Sequence, residues 1–451
     1  MSLRIAYMTG EYPRATDTFI QREVAALRAS GVVVETLSVR KPASNENVGP
    51  EQQSERMGTK YLLPACPWEL FKSHVRLVFG SPLKYFAALR TAVVVRPPGV
   101  KALLLQLAYF AEAALVAAHV RRNKLSHLHN HFSNSSCSVA MLAAQMGGFT
   151  FSFTMHGPAE FFEPKYWRID EKIRRALFVS CISWFCRSQA MIFGPQEKWN
   201  RLHIVHCGVD PKQFAPVQHT GSGRRLLFVG RLAGVKGLPV LLDAIAQLSQ
   251  ERYDLILNVA GDGPDRAAIE SRAADLKLSD RVRFLGYQSQ SQVRELLAQT
   301  DVFAMASFAE GVPVVLMEAM AAGVPVVAPQ IAGIPELVEN NVSGFLVPPG
   351  DAAALAERIG ALLKDADLRR RFGTAGRAKV EAEFNIQTEA GRLVRILTQA
   401  LRGEVVEVRP EPGVIESSST GSTDMPERGS AAQVRSGSFA PALTGAPQVG
   451  H

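Results

Sequence analysis

Two carboxylates, Glu310 and Glu318, frame the stretch of this sequence that offers the most chemistry, with Gly311, Val312, Pro313 and Val314 between them. Pro313 suits a first helical turn because it has no N–H to leave unpaired, and Gly311 lets another backbone come close. Free N–H groups at such a helix start, together with the helix dipole, attract anions. Carboxylates there repel a bare phosphate, yet they accept hydrogen bonds from hydroxyls. A ligand that carries both kinds of group, such as a sugar nucleotide, reconciles the two. Two cations, Arg231 and Lys236, lie between Gly230 and Gly237, where a strand turns towards a helix. Placed there, they can neutralise charge on an anionic ligand. His156 ends an apolar run just before Gly157, a position that faces a side chain into a cleft. His127, His129 and His131 alternate along another run and so share one face of a strand. No Cys, Asp or Glu stands at a complementary ligand spacing, and no metal site is expected.

Elements that could hold these residues follow from the apolar patterning. Strand-like residues 3–8, helical 19–30 and strand-like 32–39 make a βαβ opening, and strands resume at 125–129 and 151–155. Between them, residues 64–123 are helix-rich, basic and aromatic. From residue 225 the alternation restarts, with strands at 225–229, 255–260, 282–285, 302–305 and 326–328. Helices fall between them at 238–250, 265–276, 293–299 and 314–322. The expected fold class is therefore α/β, with two Rossmann-like doubly wound parallel sheets facing a cleft. The expected division is 1–200, carrying the helical insertion of about 64–123, then 201–385, a terminal helix 386–402 and a tail 403–451. Ser, Gly, Pro and Ala dominate that tail, which is expected to be disordered.

Length and charge fit this division. The chain has 451 residues, and its 35 glycines and 26 prolines show no three-residue period, which excludes a collagen-like fibre. Five irregularly spaced cysteines are no disulfide framework and fit a reducing compartment. Net charge is +8, but the tail from 403 onward carries −3, leaving +11 on the body. Nucleic acid, an anionic membrane or phosphate-bearing small molecules could all answer that excess. No basic-then-apolar leader opens the sequence, so a cytoplasmic protein is expected. Residues 100–120 approach spanning length, but Lys101, Gln106, Glu112 and His119 interrupt them, which favours a buried or interfacial helix.

Glu310 to Glu318 resembles the Glu-x₇-Glu signature of family-4-type retaining glycosyltransferases, which have the two-domain GT-B fold. Three further segments are similar to that family: His206-Cys207-Gly208-Val209-Asp210, Gly230-Arg231-Leu232 with Lys236-Gly237, and Thr154-Met155-His156-Gly157. Cys207 replaces the family's usual asparagine. Gly261-Asp262-Gly263-Pro264 is a poor dinucleotide fingerprint, since Arg266 stands where a third small residue belongs; in the family it is a donor-side loop. His129-Asn130-His131-Phe132 fits the family's His-x-His-Phe. The first loop, with Gly10, Thr18 and Phe19, resembles the variant found in exopolysaccharide and lipopolysaccharide (colanic-acid-type) enzymes, where it borders the acceptor.

The resemblance implies a metal-independent, retaining transferase with no cofactor, using a nucleotide diphosphate sugar as co-substrate and a glycan or lipid-linked saccharide as acceptor. In it Glu310 orients donor-sugar hydroxyls, Glu318 holds the ribose, Arg231 and Lys236 take the diphosphate, and backbone N–H groups from Gly311 through Val312 to Val314 assist. Pro313 opens their helix, and His156 positions the sugar. Rival readings are a sugar-nucleotide epimerase or a phosphorylase of the same build, or a catalytically silent membrane scaffold. Residues 68–122 have two readings, core helices or a surface for an anionic membrane, and the second would make the protein peripheral on the inner face. Nucleic-acid binding is not expected, because the cations accompany phosphate-site motifs rather than a binding module.

Overall fold

A computed structural model describes residues 3–14, 16–42, 49–221 and 223–412. Its first sheet contains β1 (Arg4–Glu11), β2 (Val33–Arg40), β3 (Lys60–Tyr61), β4 (His127–His131), β5 (Thr150–Met155), β6 (Val179–Cys181) and β7 (Leu202–Ile204). They lie in the order β3-β2-β1-β4-β5-β6-β7, every pairing parallel. The second sheet contains β8 (Arg225–Val229), β9 (Ile256–Ala260), β10 (Val282–Gly286), β11 (Val302–Ala304), β12 (Val326–Pro329) and β13 (Gly344–Val347). Its order, β10-β9-β8-β11-β12-β13, repeats the first pattern. Both sheets therefore reverse direction beside their own first strand, β1 against β4 and β8 against β11. Ligands in doubly wound folds sit beyond the carboxyl ends of strands at such a reversal.

Buried apolar residues make the inner strands of the second sheet near-continuous hydrophobic runs, as helices on both faces require. Leu226, Leu227 and Phe228 of β8 and Phe303 and Ala304 of β11 are all sealed from solvent. The helix Ser135–Gly147 packs its Val139, Met141, Leu142 and Met146 into the first core and ends at Gly148, whose left-handed φ of +73° closes the turn. Outside that helix lie three more, Pro67–Gly80, Pro82–Val94 and Val100–Arg122, which are the insertion that the composition marks out.

The helix Ile386–Leu401 packs against the helix Thr18–Ala29. Its Ala390, Leu393, Ile396 and Leu397 join Ile5, Tyr7, Val24 and Leu27 in one core cluster. Residues 403–412, expected to belong to a disordered tail, are instead pinned. Ile204 N–H donates to the Val408 carbonyl at 2.7 Å, and the Arg409 guanidinium pairs with buried Glu389 at 3.2 Å. Local composition could not show this, because the partners come from β7 and the terminal helix. The remainder of the expected disorder, 413–451, lies outside the described residues.

Candidate functional site

The residues assigned to donor and sugar stand near the carboxyl end of a strand or in the chain that follows it, whereas His127 opens β4 and His129 is at its middle. Gly10 is near the end of β1, His156 follows β5, Arg231 and Lys236 follow β8, and Glu310 follows β11. The chain after β11 runs to Pro313, the residue before the helix Val314–Ala321. No side chain caps that helix start, so its first N–H groups are left for another acceptor.

Two glycines bring the sheets' ends into contact. A Cβ on Gly311 would stand 2.1 Å from the His156 carbonyl oxygen, and a Cβ on Gly157, which has φ +107°, would stand 2.9 Å from the Gly311 Cα. No larger residue fits either position without separating the two backbones. Glu336 ties the same faces together. Its carboxylate accepts from the N–H groups of Trp184 and Phe185, both at 2.8 Å, at the start of the helix Trp184–Phe193, where negative charge suits the helix dipole.

The carboxylates pair with cations, one within the second half and one across the two halves. Lys236 Nζ lies 2.6 Å from Glu310 Oε1, and only about a tenth of the Glu310 side chain is exposed. Glu318 is held by Arg22, Nη2 to Oε1 2.5 Å, from the helix Thr18–Ala29 of the other half. Arg22 Nη1 is buried without a hydrogen-bond partner. Arg231 is exposed, and its guanidinium forms no hydrogen bond or ion pair among the described residues. It is the free cation of the cluster.

His156 sits in a cage of rings, with centroids 4.7 Å from Phe19, 4.7 Å from Phe132 and 5.0 Å from His131. Its Nε2 is 2.8 Å from His131 Nδ1, and Cys207 Sγ is 3.7 Å from its Nδ1. On the far side His131 Nε2 faces Glu23 Oε1 at 3.4 Å, and the Tyr7 hydroxyl donates to the same carboxylate. One tautomer fits two of these contacts, with His156 Nε2–H donating to His131 Nδ1 and the Cys207 thiol donating to His156 Nδ1, while His131 Nε2 is buried near Glu23 without a hydrogen-bond partner. Burial presses the His156 pKa well below the usual imidazole range and pushes the Cys207 thiol up, which keeps both neutral. Beneath His156, Glu160 accepts the N–H groups of His156 at 2.6 Å and Gly157 at 3.1 Å, and that of Ser133.

The three alternating histidines do share a face; hydroxyls engage His127 and His129, while His131 meets His156 and Glu23. His127 contacts Thr150 Oγ1 and Ser152 Oγ at 2.7 and 2.6 Å, and His129 contacts Ser152 Oγ and Thr154 Oγ1 at 2.7 and 2.9 Å. Glu23, His129 and His131 each bring a ligand-type atom within 4.8 Å of the others. That carboxylate was invisible to a spacing argument because it comes from a helix more than 100 residues upstream. With both His129 nitrogens already engaged, the cluster reads as a hydrogen-bond network.

Among the acceptor-loop residues, Phe19 touches His156, Thr18 opens the helix that carries Arg22, and Gly10 has open space on its Cβ side. Val312 is buried beneath the loop. Sequence reasoning missed Arg22, Glu23 and Glu160. Arg22 and Glu23 follow Phe19 by three and four residues and so share its helix face. That spacing was the available signal.

Residues 209–379 match the family model described as Glycosyl transferases group 1. The chain is 38% identical over 212 residues to the amylovoran biosynthesis glycosyltransferase AmsK of Erwinia amylovora, covering 45% of this chain and 51% of that one. This chain thus spans about half the length of that relative. It is 28% identical over 440 residues to the putative colanic acid biosynthesis glycosyltransferase WcaL of Escherichia coli K12, covering 88% of this chain and 100% of that one. Among solved structures, Anabaena HepE in complex with UDP superposes with a TM-score of 0.66 at 18% identity, over 88% of this chain and 100% of that one. Sucrose-phosphate synthase from Thermosynechococcus elongatus gives 0.68 at 21%, over 89% and 100%. The fold shared with them is GT-B.

Proposed function

We propose, for a chain whose residues 209–379 match the group 1 glycosyltransferase family model, that it is a glycosyltransferase that moves a sugar from a nucleoside diphosphate donor to a hydroxyl of a growing exopolysaccharide-type glycan. The observation that carries this reading is the junction of His156-Gly157 with Glu310-Gly311, beside which Lys236 holds Glu310 at 2.6 Å. It puts a carboxylate, a cation, a neutral imidazole and a helix start around one point. Arg231 and Lys236 take the diphosphate, with N–H groups from Gly311 to Val314 beside them. Side-chain cations then do the neutralising, which is the metal-independent form of the reaction. Glu310 accepts from donor-sugar hydroxyls and Glu318 from the ribose. His156 and Phe19 bound the side from which the acceptor enters.

Transfer with retention follows from attack on the donor's own leaving face. The acceptor oxygen bonds to the anomeric carbon, the bond from that carbon to the phosphate oxygen breaks, and the hydroxyl proton passes to the phosphate. The enzyme contributes placement and charge stabilisation. It requires no cofactor beyond the donor, and it works in the cytoplasm. A thermal-shift panel of UDP, GDP and ADP sugars tests the donor site. One nucleotide should raise the melting temperature of the unchanged protein, and Arg231→Ala and Glu318→Ala should each abolish the rise. No shift from any nucleotide on folded protein overturns the assignment. Consumption of the active donor without an acceptor, giving an isomeric sugar, would indicate an epimerase.

A further inference from the structure

We propose that the outer faces of the helices Pro67–Gly80 and Pro82–Val94 and the first turns of Val100–Arg122 dock on an anionic lipid bilayer. The docking rests on the surface alone. That it serves a membrane-held acceptor rests on the function proposed above.

Those helices form the outermost layer on one side of the first sheet. Their inner residues, Leu77, Ala88, Ala92 and Phe110, are buried in the core with the helix Ser135–Gly147, so their other faces turn to solvent. There the exposure is unusual. Trp68, Phe71, Phe86 and Leu104 are more than half exposed, and Phe79 and Leu83 are 83% and 87% exposed. Isolated exposed apolar residues are ordinary, but a concentration within one layer marks an interaction surface. Val100–Arg122 is long and apolar enough to cross a membrane by length and composition. In this fold its later turns, with Ala113, Val116, Ala117 and Val120, are buried in the core. Only its start is left to lie on a surface.

Charge identifies the occupant. Between residues 67 and 108 stand six cations, Lys72, Arg76, Lys84, Arg90, Arg96 and Lys101, against the single acid Glu69. None of the six is in an ion pair among the described residues. Lys72 lies over the Trp68 ring, Nζ 4.7 Å from its centroid. A second copy of this chain would set the same six cations against these and be repelled. Aromatic rings interleaved with unpaired Lys and Arg suit the interface of a bilayer with anionic headgroups.

Position gives the docking a use. Arg168 Nη1 donates to the Val95 carbonyl at 2.8 Å, tying this layer to the segment that begins at His156-Gly157. Phe162, on that segment, is 71% exposed. A saccharide anchored in the docked bilayer would thus be held on the half of the molecule that supplies His156.

Sedimentation of the full chain with phosphatidylglycerol–phosphatidylcholine vesicles and with phosphatidylcholine alone tests the proposal. Binding to the anionic vesicles should exceed binding to the neutral ones by about 100-fold and fall steeply with salt. Changing Lys72, Arg76, Lys84 and Arg90 together to Gln should weaken it by about 100-fold or more. The triple variant Phe79→Ser, Leu83→Ser, Phe86→Ser should lose it while keeping the wild-type melting temperature and nucleotide shift. Equal binding to both vesicle types, binding to neither, or wild-type binding by the triple variant overturns the proposal. So does a lipid-free dimer that the triple variant abolishes. If a variant fails to fold, the lipid and salt contrasts of the unchanged protein still decide. Vesicle binding without any nucleotide shift would instead sink the donor-site reading and leave the docking standing.

Discussion

Gly311→Ala is the sharpest perturbation the structure offers. Its added Cβ would meet the His156 carbonyl oxygen at 2.1 Å and Ile182 Cδ1 at 2.9 Å. Side-chain atoms can swing aside, but a carbonyl of the chain cannot. Restoring an ordinary contact pushes His156 and Glu310 apart by about 1 Å, and misplacement of that size costs roughly 100-fold in rate, or about 2.7 kcal/mol of barrier. The sugar nucleotide that shifts the melting temperature supplies the assay, read as release of nucleoside diphosphate in the presence of acceptor. kcat should fall about 100-fold, while the nucleotide shift persists, because Arg231 and Lys236 keep their places. Gly58→Ala, where the added carbon meets nothing within 4 Å, is the control and should match wild type. A Gly311→Ala enzyme with more than half the normal kcat would refute the claim that these two backbones set the reaction geometry.

Two other perturbations follow from buried groups. Glu160→Gln leaves an amide where a carboxylate accepts three backbone N–H groups, so urea denaturation should show a loss of about 2 kcal/mol; an unchanged midpoint would count against that role. Acid should destabilise the protein through its buried imidazoles, since burial pushes His127 and His206 down to about 3 and His203 to about 4. The unfolded chain takes up protons that the folded one refuses, so stability present above about pH 6.5 drains as pH falls towards those values, by at most about 1.4 kcal/mol per unit for each imidazole. Glu160 and Glu389, raised by burial, act with the opposite sign and soften the slope. Urea midpoints at several pH values between neutral and 5 should decline; a flat profile contradicts the account.

Much of this was legible in the residues. Apolar residues running up to a glycine, Leu226–Val229 before Gly230 and Val259-Ala260 before Gly261, announce β8 and β9, because a strand covered on both faces is mostly apolar. The three-residue strands β6 and β7 were not read from the sequence, whereas the equally short β11 was, through the unbroken apolar run 302–305. Glu310, Lys236 and His156 were found through motifs that keep their spacing. Arg22 and Glu23 were not, because their partners are distant in sequence: Arg22 meets Glu318 of the other half, and Glu23 meets Tyr7 and His131 from two different strands. Glu336 was passed over for the same reason. Its neighbours Ile334 and Leu337 look like any helix start, and only the tertiary structure brings the Trp184 and Phe185 N–H groups to its carboxylate.

The helix Ile386–Leu401 has a consequence for how the molecule is made. It lies last among the helices, yet its Leu393, Ile396 and Leu397 complete the core around Ile5, Tyr7 and Leu27 at the very start of the chain. At a synthesis rate of roughly 5–20 residues per second, about 10–40 s separate emergence of β7 from emergence of that helix. Throughout that interval one face of the first sheet, including Ile20 and Val24 on its covering helix, is missing its final layer. The first half is thus translated long before it can be finished, and the second sheet can close its own core first. The order in which the halves mature is then the reverse of the order in which they are written.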